Sequence, residues 1–122
     1  MEGATFKFPS TSGSIEVEGG LTMSTTNYRP AIFTAADDNT IGTTLSTNIW
    51  TGYTGNSSGK YYGNTALLSM GSSALNNLRF CYMNCALEIT PSNNINQSIS
   101  LSHSELVDCA TGIYVWSAEF VG

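Results

Sequence analysis

Basic residues are the scarcest chemistry in this chain: four Lys and Arg stand against nine Asp and Glu, a formal charge of −5 over 122 residues. Nucleic acid needs a cationic face to meet its phosphates, so this balance argues against it, and it equally disfavours an anionic membrane surface. No apolar run approaches the roughly 20 residues of a membrane span, and no positive start precedes a hydrophobic segment, so the sequence shows neither an anchor nor a signal-peptide pattern. Charged residues of both signs make up only 11% of the chain, which leaves solubility to Gly, Ser, Thr and Asn. A hydroxyl- and amide-rich surface of that kind is typical of secreted β-rich proteins. The length bounds one domain over residues 1–122 with a useful core. Met1 opens directly onto Glu2-Gly3-Ala4-Thr5-Phe6, which reads as the middle of a strand unit and leads us to expect a fragment of a longer chain.

What the sequence does hold is a unit written twice between Leu78 and Val115. Leu78 to Ala86 aligns with Leu101 to Cys109 at an offset of 23 (101 − 78), which sets Met83 against Leu106, Tyr82 against Glu105 and Phe80 against His103. The apolar pair that follows is displaced by 26 (113 − 87), so Ala110-Thr111-Gly112 reads as a longer turn. Upstream, Ala4-Thr5-Phe6-Lys7-Phe8 alternates and stops at Pro9, predicting Ala4, Phe6 and Phe8 inward and Lys7 to solvent. Ile15-Glu16-Val17-Glu18 alternates again, and Gly19-Gly20 turns into Leu21-Thr22-Met23. Ala31 and Phe33 form the next inward set after Pro30, with Phe33 standing 25 residues beyond Phe8 (33 − 8). Thr65 to Phe80 also fits helical spacing, but Gly71, Ser72, Ser73, Asn76 and Asn77 favour strands at Leu67 to Met70 and from Leu78. Short alternating strands at intervals in the low twenties describe an all-β chain wound as a parallel β-solenoid of about five coils. Its ladders would be Ala4/Ala31, Phe6/Phe33, Leu78/Leu101 and Met83/Leu106. The competing all-β architecture is a β-sandwich or jelly roll, with antiparallel neighbours.

Three motifs carry a family resemblance. Gly3-Ala4-Thr5-Phe6-Lys7-Phe8, Gly13 through Leu21, and Pro30-Ala31-Ile32-Phe33-Thr34-Ala35-Ala36-Asp37-Asp38 resemble the right-handed parallel β-helix, pectate-lyase-like segments of bacterial secreted and cell-surface proteins. Leu106 through Val115 is similar to the family's "F-x-N-N-x-T-G-I-x-V" coil. Trp50 and Gly52 stand where the family closes a loop with a Trp-Gly pair, but Thr51 is interposed and the usual loop acids are missing. The resemblance implies a fold more than a function, because such coils serve polysaccharide lyases, glycoside hydrolases, adhesins and spacers alike.

Candidate chemistry is thin. Lyases of this shape resemble one another in a basic residue that abstracts a proton beside acids that hold calcium, and here Arg79, Glu105 and Asp108 are the candidate catalytic residues. A solvated face is the plainer reading of all three. His103, aligned with Phe80, reads as a buried core histidine and lacks triad partners. Asp37 and Asp38 offer hard oxygen ligands for calcium, or a turn in which Asp side chains cap backbone amides. Three cysteines allow at most one internal disulfide, and a bridge between Cys85 and Cys109 is conceivable where stacked strands lie about 4.8 Å apart; three buried small residues are the alternative, and zinc is disfavoured. Trp50, Tyr53, Tyr61 and Tyr62 are the candidate carbohydrate-binding residues, since flat rings on a rigid sheet stack on sugars. Asn56-Ser57-Ser58 and Asn96-Gln97-Ser98 match a glycosylation pattern that such sequences produce by chance.

The expected function is therefore a non-catalytic, secreted or cell-surface scaffold or adhesin-type segment in contact with polysaccharide. A polysaccharide lyase or glycoside hydrolase is the enzymatic alternative. A self-assembling unit, associating end to end, is the third.

Overall fold

The computed structural model of the chain describes residues 3–9, 12–38, 40–43, 45, 62–90 and 97–116. These residues form ten strands and no helix: β1 (Thr5–Phe8), β2 (Ile15–Val17), β3 (Ala31–Ala35), β4 (Gly63–Ser69), β5 (Ser73–Asn76), β6 (Leu78–Cys81), β7 (Met83–Ile89), β8 (Ile99–Ser102), β9 (Glu105–Val107) and β10 (Thr111–Val115). Every pair of named strands runs parallel. A first sheet has the order β1-β3-β6-β9, a second the order β2-β4-β7-β10, and a third pairs β5 with β8. Thr22 extends the third sheet by a parallel bridge to Ala74. In chain order the strands thus visit the first, second and third sheets in turn, then begin again.

Alternation explains which side chains enter the core. Phe6, Phe33 and Phe80 stand in register across the first sheet. Their rings stack at 5.2 Å and 4.9 Å between centroids. Ile15, Leu67, Leu87 and Ile113 form a second file across the second sheet. A third joins Leu75 to Leu101, with Met23 beside Leu75 through the Thr22–Ala74 bridge. All three files converge on one core whose centre is Phe33, Phe80, Leu67, Leu75, Leu78 and Leu87. Burying each of these side chains stabilises the fold by roughly 1.5–3 kcal/mol.

The parallel pairing differs from the antiparallel neighbours of a jelly roll. The strand alternative is the right one for Thr65 to Phe80, which folds as β4, β5 and β6. Phe6 does meet Phe33, and Ala4 follows suit, since its carbonyl accepts the Ile32 amide. The offset of 23 is overturned. Leu101 lies on Leu75 and Leu106 on Phe80, both at 26 (101 − 75; 106 − 80), while Leu78 lies on Ala31. A slip of three residues carries side chains from one sheet onto another, and its cause is two corners only one residue long. Asn77 and Tyr82 turn the chain there at φ of 50° and 54°, in the left-handed region, and His103 and Asp108 repeat them at 47° and 48°. His103 is accordingly exposed, opposite Asn77 and not Phe80.

The first two sheets are four strands deep, where about five coils were expected. Residues 36–62 lie between β3 and β4 in sequence, and the described ones among them add no strand. Residues 36–38 and 40–43 lie against the outer face of the first sheet, where a Cβ on Gly42 would come within 3.2 Å of the Thr5 side chain. There Asp38 is fully buried, its carboxylate accepting Thr34 Oγ1 at 2.7 Å, Thr40 Oγ1 at 2.6 Å and the Thr40 amide at 3.0 Å. Lys7 is half-buried and not simply solvated, since its ammonium donates to the Asp38 carbonyl at 2.6 Å. At another corner a Cβ on Gly71 would come within 2.8 Å of the Gly19 backbone, so successive turns touch there without room for a side chain.

Candidate functional site

The most chemically specific surface lies at the end of the second sheet. Tyr114 on β10 stands in register with Glu88 on β7, which pairs with Leu68 on β4, itself paired with Glu16 on β2. Two residues beyond Tyr114, on the same face by strand alternation, Trp116 closes the row. The Tyr114 and Trp116 rings meet edge to face, with centroids 5.4 Å apart and planes at 86°. They are 45% and 53% exposed, enough to offer ring faces to solvent. Trp116 Nε1 donates to Glu88 Oε1 at 2.8 Å, and Thr65 Oγ1 donates to Glu88 Oε2 at 3.4 Å. The Trp116 amide is also tied, to the Ile89 carbonyl at 2.9 Å. The result is a right-angled aromatic corner with a positioned carboxylate at its base. Aromatic faces accept the C–H faces of a sugar ring, and a carboxylate accepts its hydroxyls. The Tyr-x-Trp spacing on an alternating strand was the sequence signal for this pair.

A second concavity of about 410 Å³ runs across successive turns where the second sheet gives way to the third. Gly20 and Thr22 line it from the first turn, Ser72 and Ser73 from the next, and Ser98 and Ser100 from the third. Its walls mix hydroxyls with the apolar Leu21 and Ala74 and carry no charged side chain. The Ser73 hydroxyl is engaged within the fold, accepting the Leu21 amide at 3.3 Å.

Of the candidates read from sequence, Arg79 and Glu105 do come together. They are in register on the outer face of the first sheet, with Nε and Oε2 3.4 Å apart and side chains 43% and 68% exposed. The contact is an ion pair without a hydrogen bond from Nε, and a pair this exposed contributes roughly 0–1 kcal/mol. Tyr82, which the slipped register set against Glu105, instead turns a corner and packs on Ala35 and Ala36. Asp108 is exposed at the equivalent corner one turn later. Asp38 forms the side-chain-capped turn, with the Thr40 amide on its carboxylate. Among the described residues no three His, Cys, Asp or Glu side chains converge to hold a metal. Tyr62 is half-buried just before β4, while Trp50, Tyr53 and Tyr61 lie outside the described residues, as do Asn56-Ser57-Ser58 and Asn96.

All three cysteines are free thiols. Cys85 is in register with Thr111, two residues beyond the position the bridge to Cys109 requires. Cys109 donates instead to the Phe80 and Val107 carbonyls, each at 3.6 Å. Burial pushes all three thiols above their ordinary range.

Among the described residues no helix is long and apolar enough to cross a membrane. The likeness to β-helix segments of secreted proteins rests on the motifs quoted above and on the parallel sheets. No family model matches the chain, and neither a curated protein nor a solved structure matches it.

Proposed function

We propose that this chain is a non-catalytic scaffold segment of a secreted or cell-surface protein, wound as a right-handed parallel β-helix, that contacts neutral polysaccharide through Tyr114, Trp116 and Glu88. Three parallel sheets visited in rotation support the winding, and parallel crossovers are right-handed in about 98% of cases. The hydroxyl- and amide-rich composition supports an extracellular setting. The observation that carries the binding reading is the aromatic corner with its hydrogen-bonded carboxylate.

Charge selects the class of glycan. Glu88 and Glu16 lie along the row that ends at Tyr114, and no basic side chain stands in that row. A polyuronate would bring like charges together, whereas hydroxyls of a neutral chain meet acceptors. The test is titration calorimetry against neutral and uronate oligosaccharides. Neutral chains are expected to bind, and Trp116→Ala to lose at least about tenfold in affinity, or ~1.4 kcal/mol, with circular dichroism unchanged. A panel in which no neutral glycan binds, or in which Trp116→Ala binds as well as the parent, rejects the proposal. Release of unsaturated sugars that disappears in Glu105→Gln or Arg79→Ala would establish the enzymatic alternative instead.

A further inference from the structure

We infer that the glycan is a linear chain laid along the coil axis across the outer face of the second sheet, with Leu68 and Met70 as a second apolar subsite beyond the aromatic corner. The inference rests on the sugar-binding reading of Tyr114, Trp116 and Glu88, and adds direction, length and residues to it. Glu16, Leu68, Glu88 and Tyr114 stand in register across the sheet, one from each strand. Beside them the Met70, Thr90 and Trp116 amides donate to the Val17, Ser69 and Ile89 carbonyls at 2.8, 3.0 and 2.9 Å, so these three residues form a second file. By alternation both files face away from the core file of Ile15, Leu67, Leu87 and Ile113.

The order of chemistry across this face matches a sugar chain. Tyr114 and Trp116 offer their rings on β10. Glu88 and Thr90 follow with a carboxylate and a hydroxyl. A carboxylate has about four acceptor sites, and Trp116 and Thr65 engage Glu88 once each, so sites remain for a ligand's hydroxyls. Leu68 and Met70, both half-buried, come next as an apolar pair, and the exposed Glu16 ends the row. Apolar and polar layers thus alternate about every 4.8 Å, and the row spans roughly 14 Å. A pyranose has a C–H face and a rim of hydroxyls, and an extended chain advances by about one layer per sugar. One ring therefore meets the aromatic corner while a later one covers Leu68 and Met70. Covering them removes apolar surface from water, which is where added length gains affinity, and the unbranched Met70 adapts to the ring it meets. The strand direction offers no comparable path, because Ala66 and Ala86 are fully buried and Gly112 has no side chain. Neither file carries a basic residue, so a neutral chain suits the whole row as it suits the corner.

Titration calorimetry with cello- and manno-oligosaccharides graded from disaccharide to hexasaccharide tests this. Affinity is expected to climb about tenfold or more from disaccharide to tetrasaccharide and then to level off. Leu68→Asp is expected to remove that gain, binding every length as weakly as the parent chain binds the disaccharide. Trp116→Ala, by contrast, is expected to weaken the disaccharide and the longer chains alike. Should circular dichroism show Leu68→Asp unfolded, Met70→Gln, just beyond β4, takes its place with the same expectation. A disaccharide that binds the parent chain as tightly as the hexasaccharide does, with Trp116→Ala still damaging, overturns the extended path and leaves the aromatic corner standing. Equal losses for disaccharide and hexasaccharide in Leu68→Asp overturn it as well. Failure of every length to bind rejects the corner and the path together.

Discussion

Phe33 stacks on Phe80 across the first sheet, with centroids 4.9 Å apart and ring planes 20° from parallel. Phe33 is wholly buried and also meets Phe6 at 5.2 Å and Phe8 at 6.3 Å, so it ties three neighbours into one column. Phe33→Ala is expected to cost about 3–5 kcal/mol and Phe33→Leu about 1.5 kcal/mol or less, read from urea unfolding. A loss for the alanine variant below about 1 kcal/mol at unchanged slope would mean the column is not packed this way.

The buried carboxylate of Asp38 ties the turn at Thr40 to Thr34 on the sheet. Asp38→Ala strips acceptors from the Thr34 hydroxyl and from the Thr40 hydroxyl and amide together. The expected cost is about 1–3 kcal/mol, with faster exchange of the Thr40 amide hydrogen. Unchanged exchange at Thr40 would show that the turn stands without the carboxylate.

The left-handed corners make opposite predictions at equivalent positions. His103 is exposed at φ 47°, a conformation that penalises a residue carrying a Cβ but not glycine, so His103→Gly is expected to stabilise by about 0.5–1 kcal/mol. Asn77 tolerates φ 50° and its Nδ2 donates to the Thr25 carbonyl at 3.0 Å, so Asn77→Gly is expected to destabilise by roughly 1 kcal/mol. Chemical denaturation of both variants reads the signs, and equal effects would reject the distinction.

The thiols predict an alkaline weakness. Burial raises Cys81, Cys85 and Cys109 above 9.0, so the folded chain holds these protons more tightly than the unfolded one. Their contribution is complete below the ordinary value of 9.0 and is lost as pH rises through the higher folded values. Unfolding measured at about pH 8 and about pH 10 should show stability falling, and a chain with all three changed to alanine should fall less. Parallel pH profiles for the two chains would remove the thiols as the cause.

Much of the strand content was legible because alternation is a local property. Phe6, Phe8, Ala31 and Phe33 announce their faces within a few residues, and the structure puts them in the core. Register is different, since alternation says which face a residue takes but not which residue of the next turn it meets. Asn77 and Tyr82 each turn the chain alone, without the glycine or proline that marks a corner in sequence. Reading through them merged the third sheet with the first and set Tyr82 beside Glu105. Arg79 was the true neighbour, and an even offset of 26 (105 − 79) would have found it. The aromatic corner was missed for another reason. Tyr114 and Trp116 lie inside a stretch that repeat alignment used for its apolar Ile113 and Val115, so the two rings on the opposite face went unread.

The passage from β3 to β4 takes 27 residues (62 − 35), while the passage from β6 to β7 takes one, Tyr82, yet β4 and β7 still pair in register. Strand pairing is thus indifferent to how much chain lies outside it at that edge. A foreign peptide spliced between Thr43 and Tyr62 should therefore be carried as cargo, leaving the pairing of β4 with β7 and the columns of phenylalanine and leucine undisturbed.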